Sequence, residues 1–308
     1  MEAIAVHKLA KTYGAKKETV KALNEISFST QQGEMFGVIG PDGAGKTSLF
    51  RILTTMLLPD GGTATVDGFD VVKDMQQIRN RVGYMPGKFS LYQDLTVEEN
   101  LEFFASIFNT SIAENYDLVK DIYVQIEPFK NRRAGKLSGG MKQKLALCCA
   151  LIHKPSVLFL DEPTTGVDVV SRKEFWEMLK GLKKQGISIL VSTPYMDEAA
   201  MCDRVALMQS GRIMTIDTPQ HVIERFGKRL WAVRSGDMYR LLLDLKAYEN
   251  TLSCHSFGEY HHLVLRNDTG SEAAVLHYLA SKGHRQVEIK TASPNIEDCF
   301  MQLMNDNA

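Results

Sequence analysis

Two glycines and a lysine–threonine pair are spaced in a way that suits phosphate chemistry. Gly40 and Gly45 enclose four residues, and Lys46 and Thr47 follow directly. Glycines let backbone N–H groups point into one concavity that binds a triphosphate, while the lysine reaches the β and γ phosphates and the threonine hydroxyl reaches Mg²⁺. The run therefore predicts a site for ATP and Mg²⁺. The predicted nucleotide contacts are Gly40, Asp42, Gly43, Ala44, Gly45, Lys46, Thr47 and Ser48.

The elements on either side favour a phosphate site over a plain glycine-rich turn, which is the alternative. Residues 35–40 are an apolar run that predicts a strand, and residues 46–57 predict a helix. The positive N-terminal end of that helix would add to anion binding. The pattern is specific when it follows a strand and opens a helix, as it does here.

Two adjacent carboxylates follow a second apolar run, at residues 157–160, that predicts a buried strand. Asp161 is expected to hold Mg²⁺ through water, and Glu162 is the natural general base for an attacking water. Lys46, Asp161 and Glu162 are thus the predicted catalytic residues, and Thr47 and Asp161 the predicted metal-site residues. The alternative is a charge pair at a strand end, which many α/β proteins have.

A second glycine-rich turn opens another helix, at residues 137–143. Ser138, Gly139 and Gly140 stand at its start, and the backbone amides of a helix N-terminus bind anions. Because the first loop already serves the chain's own nucleotide, this second turn is expected to contact ATP held by another subunit. Gln143 is included among its predicted nucleotide contacts. A simple helix cap is the alternative.

Composition limits the classes of protein that fit. The chain has 308 residues, 44% of them hydrophobic, and a formal net charge of −1, so a buried core is feasible and the basic surface of a nucleic-acid binder is absent. Five scattered cysteines form no CxxC pair, which predicts reduced thiols. The first residues lack the pattern of a signal peptide. The densest apolar stretch, residues 145–152, is too short to cross a bilayer, so any membrane role is expected to need other chains.

The pattern of elements predicts two domains. Up to about residue 226, continuous apolar strands alternate with helices, which indicates a parallel α/β sheet covered on both faces. Beyond residue 227 the predicted order is βαββαβ, the ferredoxin-like arrangement, followed by a last helix. We therefore expect an ATP-binding domain over residues 1–226 and a small accessory α+β domain over residues 227–308.

The phosphate loop, the glycine-rich turn at residues 137–143 and the Asp161–Glu162 pair follow one another in this order. With this combination of motifs, the chain resembles the ATP-binding subunit of an ABC transporter over residues 4–226. The resemblance implies a P-loop cassette with a mixed sheet and a helical subdomain, in which Tyr13 stacks on adenine and residues 165–168 touch a partner subunit. Residues 294–298 are similar to the C-terminal domain of drug-exporter ATPases of the ABC-2 class. The resemblance further implies ATP hydrolysis, ABC-2 permease subunits and a second ATPase domain as partners, no nucleic acid, and a cytoplasmic position at the inner face of the plasma membrane.

Two positions depart from the family. Gly87 stands where the family has a glutamine that contacts Mg²⁺ and the lytic water, and Pro194 stands where a histidine senses the γ-phosphate. Because both losses fall in the chain's own site while the turn at Ser138 is intact, we expect an asymmetric pair of ATPase domains. The alternative is a homodimer in which Lys88, Thr193 or a water substitutes.

Three apolar residues lie where the family receives a short helix from the membrane subunit. Phe89, Leu91 and Tyr92 are candidate anchors for that helix, or they pack inside the helical subdomain. Two other functions stay open at this point. One is a regulatory module that binds ATP without turnover, and the other is a soluble ABC protein that acts on nucleic acid or ribosomes.

Overall fold

The chain folds into two compact units. The structure, a computed structural model, describes residues 1–14, 19–88, 91–267 and 272–306. The first unit comprises residues 1–219 and the second comprises residues 220–308.

A six-stranded sheet forms the centre of the first unit. Its strands, in spatial order, are β10 (Arg212–Asp217), β9 (Arg204–Gln209), β3 (Met35–Ile39), β8 (Ser188–Thr193), β7 (Val157–Asp161) and β6 (Val82–Met85). Strands β9, β3, β8, β7 and β6 run parallel, and β10 pairs with β9 antiparallel. Every residue of β3, β7 and β8 is buried, which is why these segments read as continuous apolar runs. The sequence predicts strands at residues 35–40, 82–85, 157–160 and 187–192, and strands β3, β6, β7 and β8 confirm them within one residue at each end.

A second, antiparallel sheet in this unit was missed by the sequence analysis. Its strands, in spatial order, are β2 (Val20–Gln31), β1 (Glu2–Tyr13), β4 (Gly61–Val66) and β5 (Phe69–Asp70). The pairing of β1 with β2 contains several register shifts. Such irregularities break the strict alternation of buried and exposed residues by which a strand is recognised in a sequence.

Helices lie against the parallel sheet and beside it. The helices of this unit are α1 (Lys46–Leu53), α2 (Met75–Arg79), α3 (Val97–Ile107), α4 (Tyr116–Tyr123), α5 (Gly139–Leu151) and α6 (Val169–Lys184), and a further helix, α7 (Pro219–Glu224), follows β10. Helices α1, α5 and α6 contact the sheet, and α3 and α4 contact α5. The phosphate loop and the second glycine-rich turn are therefore held at the starts of two helices of one unit.

Two helix boundaries differ from prediction. Helix α1 ends at Leu53, four residues early, because Thr55 adopts a left-handed conformation with φ +62°. Residues 171–174 have a sequence that predicts a helix cap at Ser171, which is wrong, because Asp168 caps helix α6 by accepting the N–H groups of Val170 and Ser171. Thr96 and Glu99 have the spacing that predicts a capping box, and the structure confirms it.

The second unit has the predicted order of elements. These are β11 (Leu230–Arg234), α8 (Met238–Ala247), β12 (Thr251–Phe257), β13 (Tyr260–Leu265), α9 (Glu272–Ser281), β14 (Glu288–Ala292) and α10 (Ile296–Asp306). The strands form one antiparallel sheet in the order β12-β13-β11-β14. Its core includes Trp231 and Val233 of the sheet, Leu241 of α8 and Leu279 of α9.

The division between the units lies earlier than the expected boundary at residue 227. It falls after Pro219, so most of helix α7 and the segment after it belong to the second unit. Phe226 is buried and lines a cavity together with Leu230 and Met301 of that unit. This packing explains why the segment belongs with the second unit.

Candidate functional site

The phosphate loop, residues 40–47, connects β3 to α1 and requires glycine at two positions. A Cβ atom on Gly40 would lie 2.1 Å from the carbonyl oxygen of Met208, and one on Gly45 would lie 2.2 Å from that of Ala22. Gly45 also has φ +108°. The glycines that suggested a phosphate cradle are therefore required by close contacts with neighbouring backbone as well.

Lys46 is the buried charge at the centre of this loop. Its Nζ donates hydrogen bonds to the carbonyl oxygens of Gly40 at 2.8 Å and Pro41 at 3.1 Å, and it lies 3.0 Å from Oε1 of Glu162. Only 3% of the lysine is exposed, so its charge needs these partners. The structure thus brings together two of the predicted catalytic residues.

The third predicted catalytic residue, Asp161, ends strand β7 and is also buried. Its Oδ1 accepts a hydrogen bond of 2.7 Å from Oγ of Ser192, at the end of the neighbouring strand β8. The sequence analysis did not identify Ser192. A signal was available, because the carboxyl ends of adjacent parallel strands meet at one edge of a sheet.

The remaining predicted nucleotide contacts surround this cluster. Tyr13 is 40% exposed, and its hydroxyl lies 3.2 Å from Oγ of Ser48 on helix α1, so the predicted adenine platform stands beside the phosphate loop. Asp42 and Gly43 are exposed, Thr47 and Ser48 are half-buried, and Ala44 is buried. Ala44 contributes through its backbone, where its N–H donates to Pro41 and its carbonyl accepts from Gly211.

The residues present fit ATP and Mg²⁺. Mg²⁺ prefers oxygen ligands, and the Thr47 hydroxyl and the Asp161 carboxylate are of that kind. A buried ammonium group at the start of a helix suits a phosphate group, and a half-exposed aromatic ring nearby suits a base.

The second glycine-rich turn, which we call the signature turn (residues 138–140), lies at the surface. Ser138 caps helix α5 by accepting the N–H of Met141 at 3.3 Å, and both Ser138 and Gly139 are exposed. A Cβ on Gly139 would meet nothing nearer than the Gly166 carbonyl at 3.8 Å. Gly140 is buried, and a Cβ there would lie 2.7 Å from Oγ of Ser171.

Gln143 does not join that exposed surface, so its predicted nucleotide contact needs correction. The side chain is fully buried, and its Nε2 donates a hydrogen bond of 2.6 Å to the carbonyl of Pro163. Gln143 lies one turn into helix α5, where it points to the interior instead of to the signature turn. It links helix α5 to the segment that follows Glu162.

Of the two positions expected to depart from the family, Gly87 lies next to the predicted catalytic carboxylates. A Cβ on Gly87 would be 3.1 Å from the carbonyl oxygen of Asp161 and 3.8 Å from Cβ of Glu162. Pro194 follows Thr193, whose hydroxyl donates to Oε2 of the buried Glu198 at 2.5 Å. The only hydroxyl proton of Thr193 is therefore already used.

A groove lies beside the segment that follows Gly87. It has a volume of 430 Å³, and its lining includes Tyr84 of β6, Phe104 of α3 and Ala146 of α5, together with Leu91 and His153. Leu91 is buried in its wall, whereas Tyr92 is half-exposed and packs on Phe103 with ring centres 4.6 Å apart. Phe89, the third predicted anchor, lies outside the described residues.

In the part of the chain that the structure describes, none of the helices combines the length and the apolar character needed to cross a bilayer.

Comparison with known proteins identifies the family. The family described as "ABC transporter" matches residues 23–165. The probable multidrug ABC transporter ATP-binding protein YbhF of Escherichia coli (strain K12) is 38% identical over 288 residues, which cover 92% of this chain and 49% of that protein. The chain therefore spans about half the length of this relative.

Further matches cover most of both chains. Nod factor export ATP-binding protein I of Burkholderia lata is 36% identical over 293 residues, 91% of each chain. The solved structure of an ATP binding subunit of an ABC transporter, 27% identical, superposes with a TM-score of 0.65 over 73% of this chain and 93% of that one. The first unit thus has the fold of a P-loop ABC cassette with a mixed sheet, and the chain belongs to the family of ABC transporter ATP-binding proteins.

Proposed function

We propose that this chain is the ATP-binding and ATP-hydrolysing subunit of an ABC-2 type membrane exporter, working within an asymmetric pair of ATPase domains. One observation carries the proposal. Lys46 of the phosphate loop is paired with Glu162, which directly follows the buried Asp161, while Ser138 and Gly139 lie exposed at the start of a different helix. A chain with both features can hold one nucleotide and offer a second anion-binding turn to another.

Binding of the nucleotide uses the residues around the phosphate loop. Lys46 and the backbone amides of the loop would hold the phosphates, Tyr13 would stack on the base, and Thr47 and Asp161 would hold Mg²⁺. When bound, Mg²⁺ neutralises charge on the phosphate oxygens. Lys46 must then exchange at least one of its three present partners for a phosphate oxygen, and the Glu162 carboxylate, once released, is free to accept a proton from water.

The asymmetry rests on what surrounds Gly87 and Pro194. Gly87 has no side chain to orient water beside Asp161 and Glu162, and Pro194 has neither a side-chain donor nor an N–H. The Thr193 hydroxyl is committed to Glu198, which counts against its substitution for the missing histidine. Each missing donor typically costs about 10²–10³ in rate, so hydrolysis in the chain's own site would be slow.

The signature turn, by contrast, has the exposed residues that contact with a second subunit's ATP would need. An exposed serine and glycine at a helix start offer backbone N–H groups to an anion. We therefore propose that residues 138–140, with the adjoining loop at 165–168, complete an active site on a second ATPase domain. The two segments are neighbours, because Gly139 lies next to Gly166.

The remaining partners are membrane permease subunits of the ABC-2 class. The relatives that support this are named for multidrug and Nod factor export. The groove at Leu91 has apolar side chains in its lining, which a short permease helix would need, and the Tyr92 ring lies 6.4 Å from the ring of Phe104 in that lining. We propose that the chain sits at the cytoplasmic face of the membrane, held there by those subunits.

The second unit is proposed to be a ferredoxin-like accessory domain. The order βαββαβ and the sheet order β12-β13-β11-β14 support this. The resemblance of residues 294–298 to the C-terminal domain of drug-exporter ATPases supports the subclass.

A regulatory module that binds ATP without turnover is the second candidate. Gly87 and the committed hydroxyl of Thr193 favour it, because both leave the chain's own site without an oriented donor. It differs from the first proposal in the rate of hydrolysis alone. A role on nucleic acid is less well supported, since the net charge is −1.

Two measurements test the proposal. Calorimetry should detect Mg²⁺-dependent binding of ATP to the purified chain, and absence of such binding would overturn the proposal. ATPase activity should be low for the chain alone and rise on addition of its permeases and a second ATPase subunit. Activity that stays at background in the complete assembly would favour the regulatory module.

A further inference from the structure

Ser192 occupies a position from which it touches both catalytic carboxylate residues. It lies near the end of strand β8, paired in register with Asp161 at the end of the parallel strand β7. Its side chain is fully buried. The sheet therefore places one hydroxyl group directly beside the Asp161–Glu162 pair, where solvent does not compete for it.

The hydroxyl group makes two hydrogen bonds of complementary kind. Ser192 Oγ donates to Oδ1 of Asp161 at 2.7 Å and accepts from the backbone N–H of Glu162 at 3.0 Å. A serine hydroxyl has one proton to donate, and here it is given to a carboxylate, which makes the bond charge-assisted. Rotation of the Asp161 carboxylate is thereby restricted.

The second bond supports an unusual backbone. Glu162 has φ +51°, a left-handed conformation that a residue with a side chain rarely adopts. Its N–H is shared between the Oγ and the carbonyl oxygen of Ser192, at 3.0 and 3.1 Å. This conformation places Oε1 of Glu162 3.0 Å from Nζ of Lys46. Ser192 therefore helps to set the direction of both carboxylates.

We infer that Ser192 is a positioning residue for Mg²⁺-dependent nucleotide binding, acting through Asp161 and Glu162. The inference rests on the proposed function. The Ser192 hydroxyl matters more in this chain than in a site that has the family's glutamine and histidine, because Gly87 offers no side chain and Thr193 is committed to Glu198. Ser192 is then a side chain at the end of β8 that contacts both the Asp161 carboxylate and the backbone N–H of Glu162.

The experiment compares two buried serines on the same strand. Ser192→Ala removes the bond to Asp161, and Ser188→Ala is the matched control, because Ser188 is also buried and its Oγ accepts one hydrogen bond, of 3.0 Å, from the backbone N–H of Gly33. Ser192→Cys keeps a weak donor of similar size and serves if the alanine variant does not fold. The probe is ATP, titrated by calorimetry at a series of Mg²⁺ concentrations and again with the metal chelated.

The inference predicts a specific change. Ser192→Ala should raise the Mg²⁺ concentration for half-maximal ATP binding by about ten- to a hundredfold, as expected for a lost hydrogen bond to a charged group, with Ser192→Cys in between. Affinity for ATP without metal should stay within about twofold of the unsubstituted chain.

Equal Mg²⁺ dependence in Ser192→Ala and Ser188→Ala, with similar losses of thermal stability, would overturn the inference while leaving the proposed function standing. Absence of Mg²⁺-dependent ATP binding in the unsubstituted chain would overturn both.

Discussion

The phosphate loop and the signature turn lie in one unit, yet their side chains are arranged in opposite ways. Lys46 is buried and bonded to two carbonyl oxygens and to Glu162, so the charges of the first site already have partners within the chain. Ser138 and Gly139 are exposed, and the space around Gly139 is open.

The buried, paired charges of the phosphate loop and the exposed signature turn suit different partners. A nucleotide entering the phosphate loop has to displace existing contacts, and Gly87, beside Glu162, offers no side chain. A nucleotide approaching the signature turn meets free surface at a helix N-terminus. The first surface suits retention of ATP, and the second suits completion of a site on another subunit.

Restoring a glutamine at position 87 and a histidine at position 194 should have the largest effect on the contrast between the phosphate loop and the signature turn. The double variant Gly87→Gln with Pro194→His is expected to raise hydrolysis in the chain's own site by at least about 10²–10³, the effect typical of one oriented donor, because two side chains return donors. The Cβ at position 87 lies 3.1 Å from the Asp161 carbonyl, so the segment must shift by a few tenths of an ångström. Steady-state ATPase assays provide the measurement.

The matched control for this gain is Gly87→Ala with Pro194→Ala, which introduces the same Cβ atoms without donors. Equal activity in the two double variants would show that the missing side chains are not what limits the site.

Removal of the buried ammonium group tests the phosphate loop itself. Lys46→Met should weaken Mg–ATP binding by about ten- to a hundredfold, because a charged hydrogen-bonding group is lost. Lys11→Met is the control, since Lys11 lies near the Tyr13 ring but bonds to Asp60. Calorimetry distinguishes the two, and a similar loss of affinity in both variants would contradict the assignment of Lys46.

The two glycines of the signature turn should respond differently to alanine. Gly140→Ala puts a Cβ 2.7 Å from Oγ of Ser171 and should lower the free energy of unfolding by about 1–3 kcal/mol through overpacking. Gly139→Ala has open space and should cost less than about 0.5 kcal/mol. Denaturant unfolding measures both.

Ser171→Ala should recover part of the loss in Gly140→Ala, because the clashing oxygen is gone. If Gly139→Ala is as destabilising as Gly140→Ala, the exposed placement of Gly139 is wrong.

The smallest expected effect concerns pH and the groove at Leu91. Burial lowers the pKa of His153, whose Nε2 lies 3.0 Å from the Val82 carbonyl and whose ring stacks on Phe108. The unfolded chain then takes up a proton that the folded chain does not. Stability should therefore fall as pH drops below about 6.5.

The measurement is the thermal midpoint at pH 7.5 and at pH 5.5, where His153→Gln should lose less stability on acidification than the unsubstituted chain. His255→Gln is the comparison in the second unit, because burial also lowers the pKa of His255. An identical pH response in His153→Gln and the unsubstituted chain would contradict the role given to burial.

Local patterns in the sequence were sufficient where the structure is governed by local rules. The buried strands β3, β7 and β8 are continuous apolar runs, and the capping box at Thr96 has a fixed spacing, so both could be predicted. The phosphate loop was predictable because close contacts require glycine at positions 40 and 45.

Features that depend on contacts between distant segments were beyond a single sequence. The antiparallel sheet was missed because register shifts interrupt its alternation, and Gln143 was misplaced because its partner, Pro163, is 20 residues away. Ser192 had a partial signal, because it lies at the carboxyl end of an apolar run, but the sequence does not show that this strand is the neighbour of the one that ends in Asp161.

The most direct test of the account is a pair of substitutions measured by export in the complete transporter. Gly139→Asp adds a negative charge where the signature turn would meet a partner's ATP, and Glu162→Gln removes the general base of the chain's own site. The account predicts that Gly139→Asp abolishes export while Glu162→Gln leaves most of it. Equal loss from the two substitutions, with both variants folded and assembled, would contradict it.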